Sequence, residues 1–520
     1  MSNSPTSGHR PVSREEEKYV LIATILASSM AFIDYSALNV ALPSLQRELN
    51  VGGKELLWIV NAYALFLSSL LLAGGAMGDL LGRKKILIAG IITFVIASIL
   101  CGLAPDATFL IITRGIQGVG AALMVPGSLS IISAVIQRER RGQAYGTWSM
   151  FSALTTVAGP VLGGWLAGAG LWRAIFFINV PLGILAAFIL WKKIPETSDP
   201  NAKAPDIKGS LMATLGLCGL TYSFIEAPQR GWESLWIIGA LATGLTGLVL
   251  FIRQELLCPH PMVPPSLFKS RTFNGANVLT FCVYGALSVV MFFLPLNLIQ
   301  VQGYPEKMAG LAILPFALCI AFTSRWAGGH TDRTGPRIFL TLGPLVAGAG
   351  YVWLSFAGLT KGPEAYWTHF FGPVVLMGTG MGLTVAPLTT TVMTAADDAV
   401  AGAASGVNNA VSRTAGVLAI SILGALALVQ FENILMARLQ PLALSDSLMM
   451  AMKGEASELA EARVPEGINE DLASKIRLEV SSAFARTFST IMLISAGMAT
   501  SGSLIAFISI QNGKKPRSGP

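Results

Sequence analysis

The chain is short of charge. Only 12% of its 520 residues are Asp, Glu, Lys or Arg, against about 25% in soluble globular domains. With 53% hydrophobic residues and a mean hydropathy of +0.62, the deficit identifies an integral membrane protein and excludes a soluble enzyme. Cysteine chemistry is also missing. Cys101, Cys218, Cys258, Cys282 and Cys319 show no CxxC and no paired spacing, and the four histidines are scattered. Neither a disulfide framework nor a metal site follows from them. No Walker-type G-x4-G-K-[ST], no GxSxG and no HExxH occurs. ATP drive within this chain, nucleophilic catalysis and a cofactor therefore have no support, and the chain reads as no enzyme. The polar stretch to about Lys18 lacks a signal-peptide cleavage pattern, so the first apolar run is expected to be a retained helix.

Long apolar runs are plentiful. A membrane span needs about 20 such residues. Fourteen candidates lie near 19–43, 56–77, 85–104, 107–134, 143–169, 173–192, 208–226, 234–252, 273–301, 307–328, 337–358, 367–394, 400–431 and 484–510. With both termini in the cytosol, the short cytosolic loops carry fifteen basic residues and the short external loops six, as the positive-inside rule requires. The net charge of +7 belongs to those loops and tails and not to nucleic-acid binding. The spans near 208–252 have no counterpart in either half and read as an inserted hairpin. The segment from Glu432 to Ser482 is too polar to span, with Leu448, Met452 and Leu459 at helical intervals. It is expected to form amphipathic helix on the external face. The domain plan is a cytosolic tail (1–18), an N-terminal six-helix bundle (19–193), a hairpin with linkers (194–271), a C-terminal six-helix bundle (272–510) with an external loop (432–482), and a cytosolic tail (511–520).

The chain contains one phrase twice. Gly75 to Lys85 reads GAMGDLLGRKK, a turn between the second and third apolar runs, and Gly328 to Arg337 echoes it. In each copy a glycine stands four residues before the aspartate (Asp79, Asp332) and another three after it (Gly82, Gly335). Duplication of a membrane half explains both. G-x-x-x-D-x-x-G-R-K between the second and third spans resembles the signature loop of the major facilitator superfamily of secondary transporters.

Other stretches extend the resemblance. Arg114 to Ala122 resembles the superfamily's R-x-x-Q-G-x-G-A-A motif, which implies proton coupling through Arg114 and Gln117. Gly146, Gly159, Pro160, Gly163 and Gly164 resemble the fifth-span motif of exporters, with Thr155 replacing one glycine. Trp172 to Gly183, DYSALNVALP in the first span, WIVNAY at Trp58–Tyr63 and the inserted hairpin are similar to the fourteen-span drug:proton antiporter family. The resemblance covers nearly the whole chain. It implies an all-α major facilitator fold of two six-helix bundles plus an inserted two-helix hairpin, fourteen transmembrane helices in all.

The residues carry their own argument. Asp34 lies deep in the first apolar run, with Ala27, Ala31, Ala37 and Ala41 on its helical face. An intramembrane carboxylate must protonate, pair or face a polar cavity. It is read as a proton or cationic-substrate site; the alternative is a structural ion pair with Arg114. Arg114, Gln117, Gly118 and Ala121 share one helix face. Gly75, Asp79, Gly82, Arg83, Asp332, Arg333 and Arg337 are expected to form a cytosolic latch. Gly159, Pro160, Gly163 and Gly164 form a hinge or tight helix crossing. Asn39, Asn61, Tyr63, Tyr284, Asn409 and Arg413 are candidate cavity residues; polar glue between helices is the alternative for Asn409 and Arg413.

The expectation is a proton-coupled antiporter that exports amphipathic compounds across the cytoplasmic membrane, acting as a monomer in the lipid bilayer. A single deep acid in the first half favours monovalent cations or neutral lipophiles. Rival readings are export of one endogenous metabolite or lipid, and a non-transporting sensor or scaffold. A periplasmic adaptor is compatible with a two-membrane host, though no residue identifies one.

Overall fold

The computed structural model describes residues 14–198, 206–259, 261–360, 362–395, 401–442, 444–465 and 468–511. Among them there is no strand. The helices are α1 (Arg14–Leu49), α2 (Gly53–Leu81), α3 (Arg83–Gly102), α4 (Ala107–Val135), α5 (Arg138–Gly168), α6 (Ala174–Phe177), α7 (Asn179–Lys193), α8 (Ile207–Arg230), α9 (Leu235–Leu257) and α10 (Arg271–Leu296). They continue with α11 (Glu306–Ala312), α12 (Leu314–Thr334), α13 (Pro336–Ser355), α14 (Tyr366–His369), α15 (Phe371–Thr394), α16 (Ala401–Leu439), α17 (Asp446–Glu455) and α18 (Glu470–Ser509). Thirteen helical stretches among the described residues are long and apolar enough to cross a membrane. They leave out α5, which occupies the expected fifth span and has several side chains outside the described set.

Local chemistry sets the boundaries. Asp106 caps α4 by accepting from the Phe109 N–H at 2.9 Å, and Ser270 caps α10 by accepting from the Phe273 N–H at 3.2 Å. The two repeated phrases end on matching turns. Gly82 has φ +112° and Gly335 has φ +83°, a region that a side chain's Cβ disfavours. The turn is shorter than its composition suggests. Gly75 to Leu81 is still α2, and Gly82 alone separates it from α3.

The first half packs α2 on α4, α1 on α5 and α3 on α4; the second packs α12 and α13 on α15, and α10 on α16 and α18. The inserted hairpin α8–α9 lies beside the seam between the halves, with α8 touching both α2 and α16. Its turn end is pinned. The buried Glu226 accepts from Trp58 Nε1 at 3.2 Å and Arg230 Nε at 3.0 Å, with Lys54 Nζ at 3.7 Å. The exposed tryptophans Trp232 and Trp236 sit at that end, where an aromatic belt belongs.

The polar segment near 432–482 folds differently at its ends. Helix α16 runs on to Leu439 and α18 starts at Glu470, so both membrane helices absorb residues assigned to the loop. Between them, α17 and a 3-10 helix (Ala456–Glu461) form a cap that buries Met452, Ala456, Leu459 and Ala462. The apolar residues at helical spacing are what hold it down.

Candidate functional site

The deep polar cluster is built from five helices, α1, α2, α3, α4 and α7. Asp34 on α1 and Arg114 and Gln117 on α4 are all fully buried. Arg114 Nη1 contacts Asp34 Oδ2 and donates to Gln117 Oε1 at 2.7 Å. Gln117 Nε2 donates to Asp34 Oδ1 at 2.8 Å. Asn179 on α7 donates to Asp34 Oδ1 at 3.4 Å and to Ser98 Oγ on α3 at 3.0 Å, and Arg114 Nε donates to the Ile59 carbonyl at 3.4 Å. The guanidinium also lies 4.4 Å from the centre of the Tyr63 ring, a cation–π contact in a site without solvent. Its Nη2 has no hydrogen-bond acceptor. Ser98 and Asn179 were not singled out from the sequence. The signal for Asn179 was an amide inside the apolar stretch AIFFINVP; Ser98 had none.

A buried charge is tolerated when its partners satisfy it, and removing one partner strands the other. Here both Asp34 oxygens are engaged by side chains of α4 and α7. Chemically, the cluster is a charge store that a proton or a cationic ligand can trade against.

The candidate cavity residues divide. Asn39 and Tyr63 are buried in the first half, and Tyr63 packs on Arg114. Asn61 bridges the halves, donating from Nδ2 to Ser421 Oγ on α16 at 3.3 Å. Arg413 on α16 reaches across to α1, its Cζ 5.9 Å from the Phe32 ring centre. Trp148 joins the same wall, 6.5 Å from Phe32 between ring centres and donating to Ser28 Oγ at 3.1 Å. Asn409 is exposed and donates to the Ser405 carbonyl of its own helix at 3.1 Å. Tyr284 is half-buried on α10.

Helix α5 touches both halves. A Cβ on Gly159 or Gly163 would collide with Ser36 or Ala37 of α1, and one on Gly164 would collide with the Glu306 backbone at the start of α11. In return Gly310 of α11 lies against the Pro160 carbonyl. These residues are a close crossing.

Polar ties between the halves lie at mid-depth or at the cap end among the described residues. Arg47 pairs with Glu306, and Ser44 donates to the same carboxylate at 3.1 Å. Gln300 donates to Gln46 at 2.8 Å, and Gln46 donates to the Glu458 carbonyl at 3.2 Å. At the opposite end, the Gly82 turn makes its bonds to α2 and to the linker that follows α7. Asp79 accepts from Arg83 Nε at 2.7 Å. Arg83 N donates to the Thr197 carbonyl at 2.8 Å, and Glu196 accepts from the Lys84 and Lys85 N–H groups at 3.0 and 3.1 Å. A carboxylate on the first N–H groups of α3 is favourable electrostatically. Glu196 was not anticipated. In the second copy Gly328 sits 3.5 Å, by its notional Cβ, from Ala386, and Arg337 stacks 4.3 Å from the Phe507 ring centre. The side chains of Asp332 and Arg333 lie outside the described residues.

Comparison with known proteins places this geometry. The chain is 34% identical over 410 residues to a multidrug resistance protein, Stp, of Mycobacterium tuberculosis, covering 78% of this chain and 74% of Stp. It is 32% identical over 404 residues to the methylenomycin A resistance protein of Bacillus subtilis, covering 76% and 85%. A bacterial homologue of the human lysosomal transporter Spinster, solved inward-facing and occupied, superposes with a TM-score of 0.65 at 18% identity over 99% of this chain and 100% of that one; the likeness is one of fold. The Major Facilitator Superfamily model matches residues 24–420. The chain is thus a multi-pass membrane transporter of small molecules and not an enzyme, and it belongs to the major facilitator superfamily.

Proposed function

We propose that the protein is a proton-coupled exporter of amphipathic compounds, and that Asp34 is where protons and cargo compete. The observation that carries this reading is the enclosed Asp34–Arg114–Gln117 cluster, a buried carboxylate whose every bond is to a group able to release it. Protonation of Asp34 removes its claim on Arg114, which keeps its bond to Gln117 and is free to take another acceptor. Deprotonation restores the pair. The drug-resistance relatives support export as the direction.

In this reading the Gly82 turn faces the cytosol, as do both termini, and the protein works as a monomer in the cytoplasmic membrane. The polar ties at the cap end support assigning this arrangement to a state closed to the outside, with the wall of Phe32, Trp148 and Arg413 turned toward the cargo path. Asp79 and Arg83, paired here with each other, are free to exchange partners when the inner side closes; Asp332, Arg333 and Arg337 serve the second half in the same way.

The test is pH-gradient-driven efflux of a fluorescent lipophilic cation from inverted vesicles, comparing wild type with Asp34→Asn. Loss of gradient-dependent flux at unchanged protein level is expected. Equal flux in the two would sink the proton-site proposal. Absence of flux across a panel of cationic and neutral lipophiles would point to a narrow endogenous cargo instead.

A further inference from the structure

Two buried carboxylates outside the transport cluster converge at the foot of the inserted hairpin. Asp206 caps α8, accepting through Oδ1 from the Gly209 N–H at 2.9 Å and from Gln254 Nε2 at 3.2 Å. Glu255, near the end of α9, accepts through Oε2 from the Val263 N–H at 2.9 Å. The two residues are only 7% and 6% exposed. Each keeps one oxygen, Asp206 Oδ2 and Glu255 Oε1, that is buried and has no hydrogen-bond partner. Both of these oxygens face Gly209, where a Cβ would stand 2.8 Å from the first and 3.2 Å from the second. No ion pair among the described residues reaches either carboxylate.

Two carboxyl groups buried side by side, each with an unused oxygen, are satisfied by a positive partner. We propose that Asp206 and Glu255 bind one small divalent cation, with Mg2+ as the cellular occupant. The donors are all oxygen, which selects a hard cation over zinc or copper. Mg2+ is characteristically held by one or two carboxylates and keeps several waters. Among the described residues no third His, Cys, Asp or Glu joins the two carboxyls, so water would complete the coordination. The space is small, since a single carbon at Gly209 would fill part of it. The N-terminus of α8 opposes a cation with about half a positive charge, but Asp206 Oδ1 already engages it and one oxygen of each carboxyl is left over. The cation would fasten three pieces: the start of α8, the end of α9, and the strand of chain at Val263 that leads to α10.

The test uses the full-length protein in detergent at constant ionic strength, with Mn2+ as the probe read by electron paramagnetic resonance. One Mn2+ per chain, displaced by Mg2+, is expected for the wild type. Asp206→Asn combined with Glu255→Gln, and separately Gly209→Ala, should each weaken binding at least tenfold. Asn caps a helix as well as Asp does and Gln keeps the bond to Val263, so both proteins should remain monodisperse. A second readout needs no variant: Mg2+, but not additional Na+, should raise the wild-type Tm. No bound Mn2+, binding that survives in the double variant, or a Tm indifferent to Mg2+ would overturn the site. A proton shared between the two carboxyls would give the first of these results.

Discussion

The Arg114 guanidinium and the Asp34 carboxylate form a closed ion pair, with both side chains 0% exposed. Neither can exchange with bulk water while α1, α4 and α7 keep their present packing. If Asp34 takes up and releases protons in the cycle, the helices must part to let it, which ties protonation to conformation.

That pairing predicts a severe effect for a substitution that keeps the charge. Arg114→Lys replaces a planar fork by a point charge. One ammonium cannot serve Asp34, Gln117 and the Ile59 carbonyl together. Gradient-driven efflux should fall by on the order of tenfold or more, equivalent to about 1.4 kcal/mol, with the protein still folded. Vesicle flux normalised to protein level checks it.

The α5–α11 contact predicts that bulk there acts on conformation. Gly164→Leu forces a side chain into the Glu306 backbone, an overpacking that costs about 1–3 kcal/mol. The state closed at the cap end should be depopulated. Spin labels at the exposed Leu171 and Met308, in a background free of native cysteines, should report a longer distance than in the parent. An unchanged distance distribution would show that this crossing does not set the closed state.

The cap carries a pH prediction. Burial raises the carboxyls of Glu458 and Glu461 above the ordinary glutamate value. A carboxyl raised in the folded state binds more protons there than in the undocked chain, so docking is strongest below the ordinary value of about 4.3. It weakens as pH climbs from there through the raised folded value. An environment-sensitive dye on Met450→Cys should report progressive loosening over that window. Glu458→Gln with Glu461→Gln should flatten the profile.

The strap on α3 gives a milder outcome. Glu196→Ala removes the acceptor of the Lys84 and Lys85 N–H groups, worth roughly 0.5–1 kcal/mol. Tm in detergent should drop by a few degrees at most while cargo preference stays the same. A changed cargo profile would show that the strap reaches into transport.

Much of this molecule is visible in its residues, for definable reasons. Apolar runs must match the bilayer, so each expected span falls on a helix, though several helices run well past the apolar run. Asp34 and Arg114 stand out because charge inside an apolar run is costly and therefore rare, and Gln117 because it shares the helix face of Arg114. Contacts that depend on distant chain segments are another matter. Asn61 reads as a cavity residue, yet it bonds Ser421 in the other half, a pairing that no local pattern encodes. Ser98 is a short hydroxyl of a kind that usually satisfies itself on its own helix, so its place beside Gln117 and Asn179 had no signature. Helix ends were misjudged where polar residues continue a helix beyond the bilayer, as in α18 from Glu470.

The crossing at Gly164 and Gly310 is backbone against backbone. Such a surface has no rotamers to freeze and no methyl groups to fit each time it meets. Closing it needs little search and opening it breaks little, so this seam is suited to low friction. The durable grip at that end falls to Arg47 with Glu306 and to the glutamine ladder at Gln46 and Gln300, and the rate at which the protein cycles should answer to those polar ties more than to the glycines beneath them.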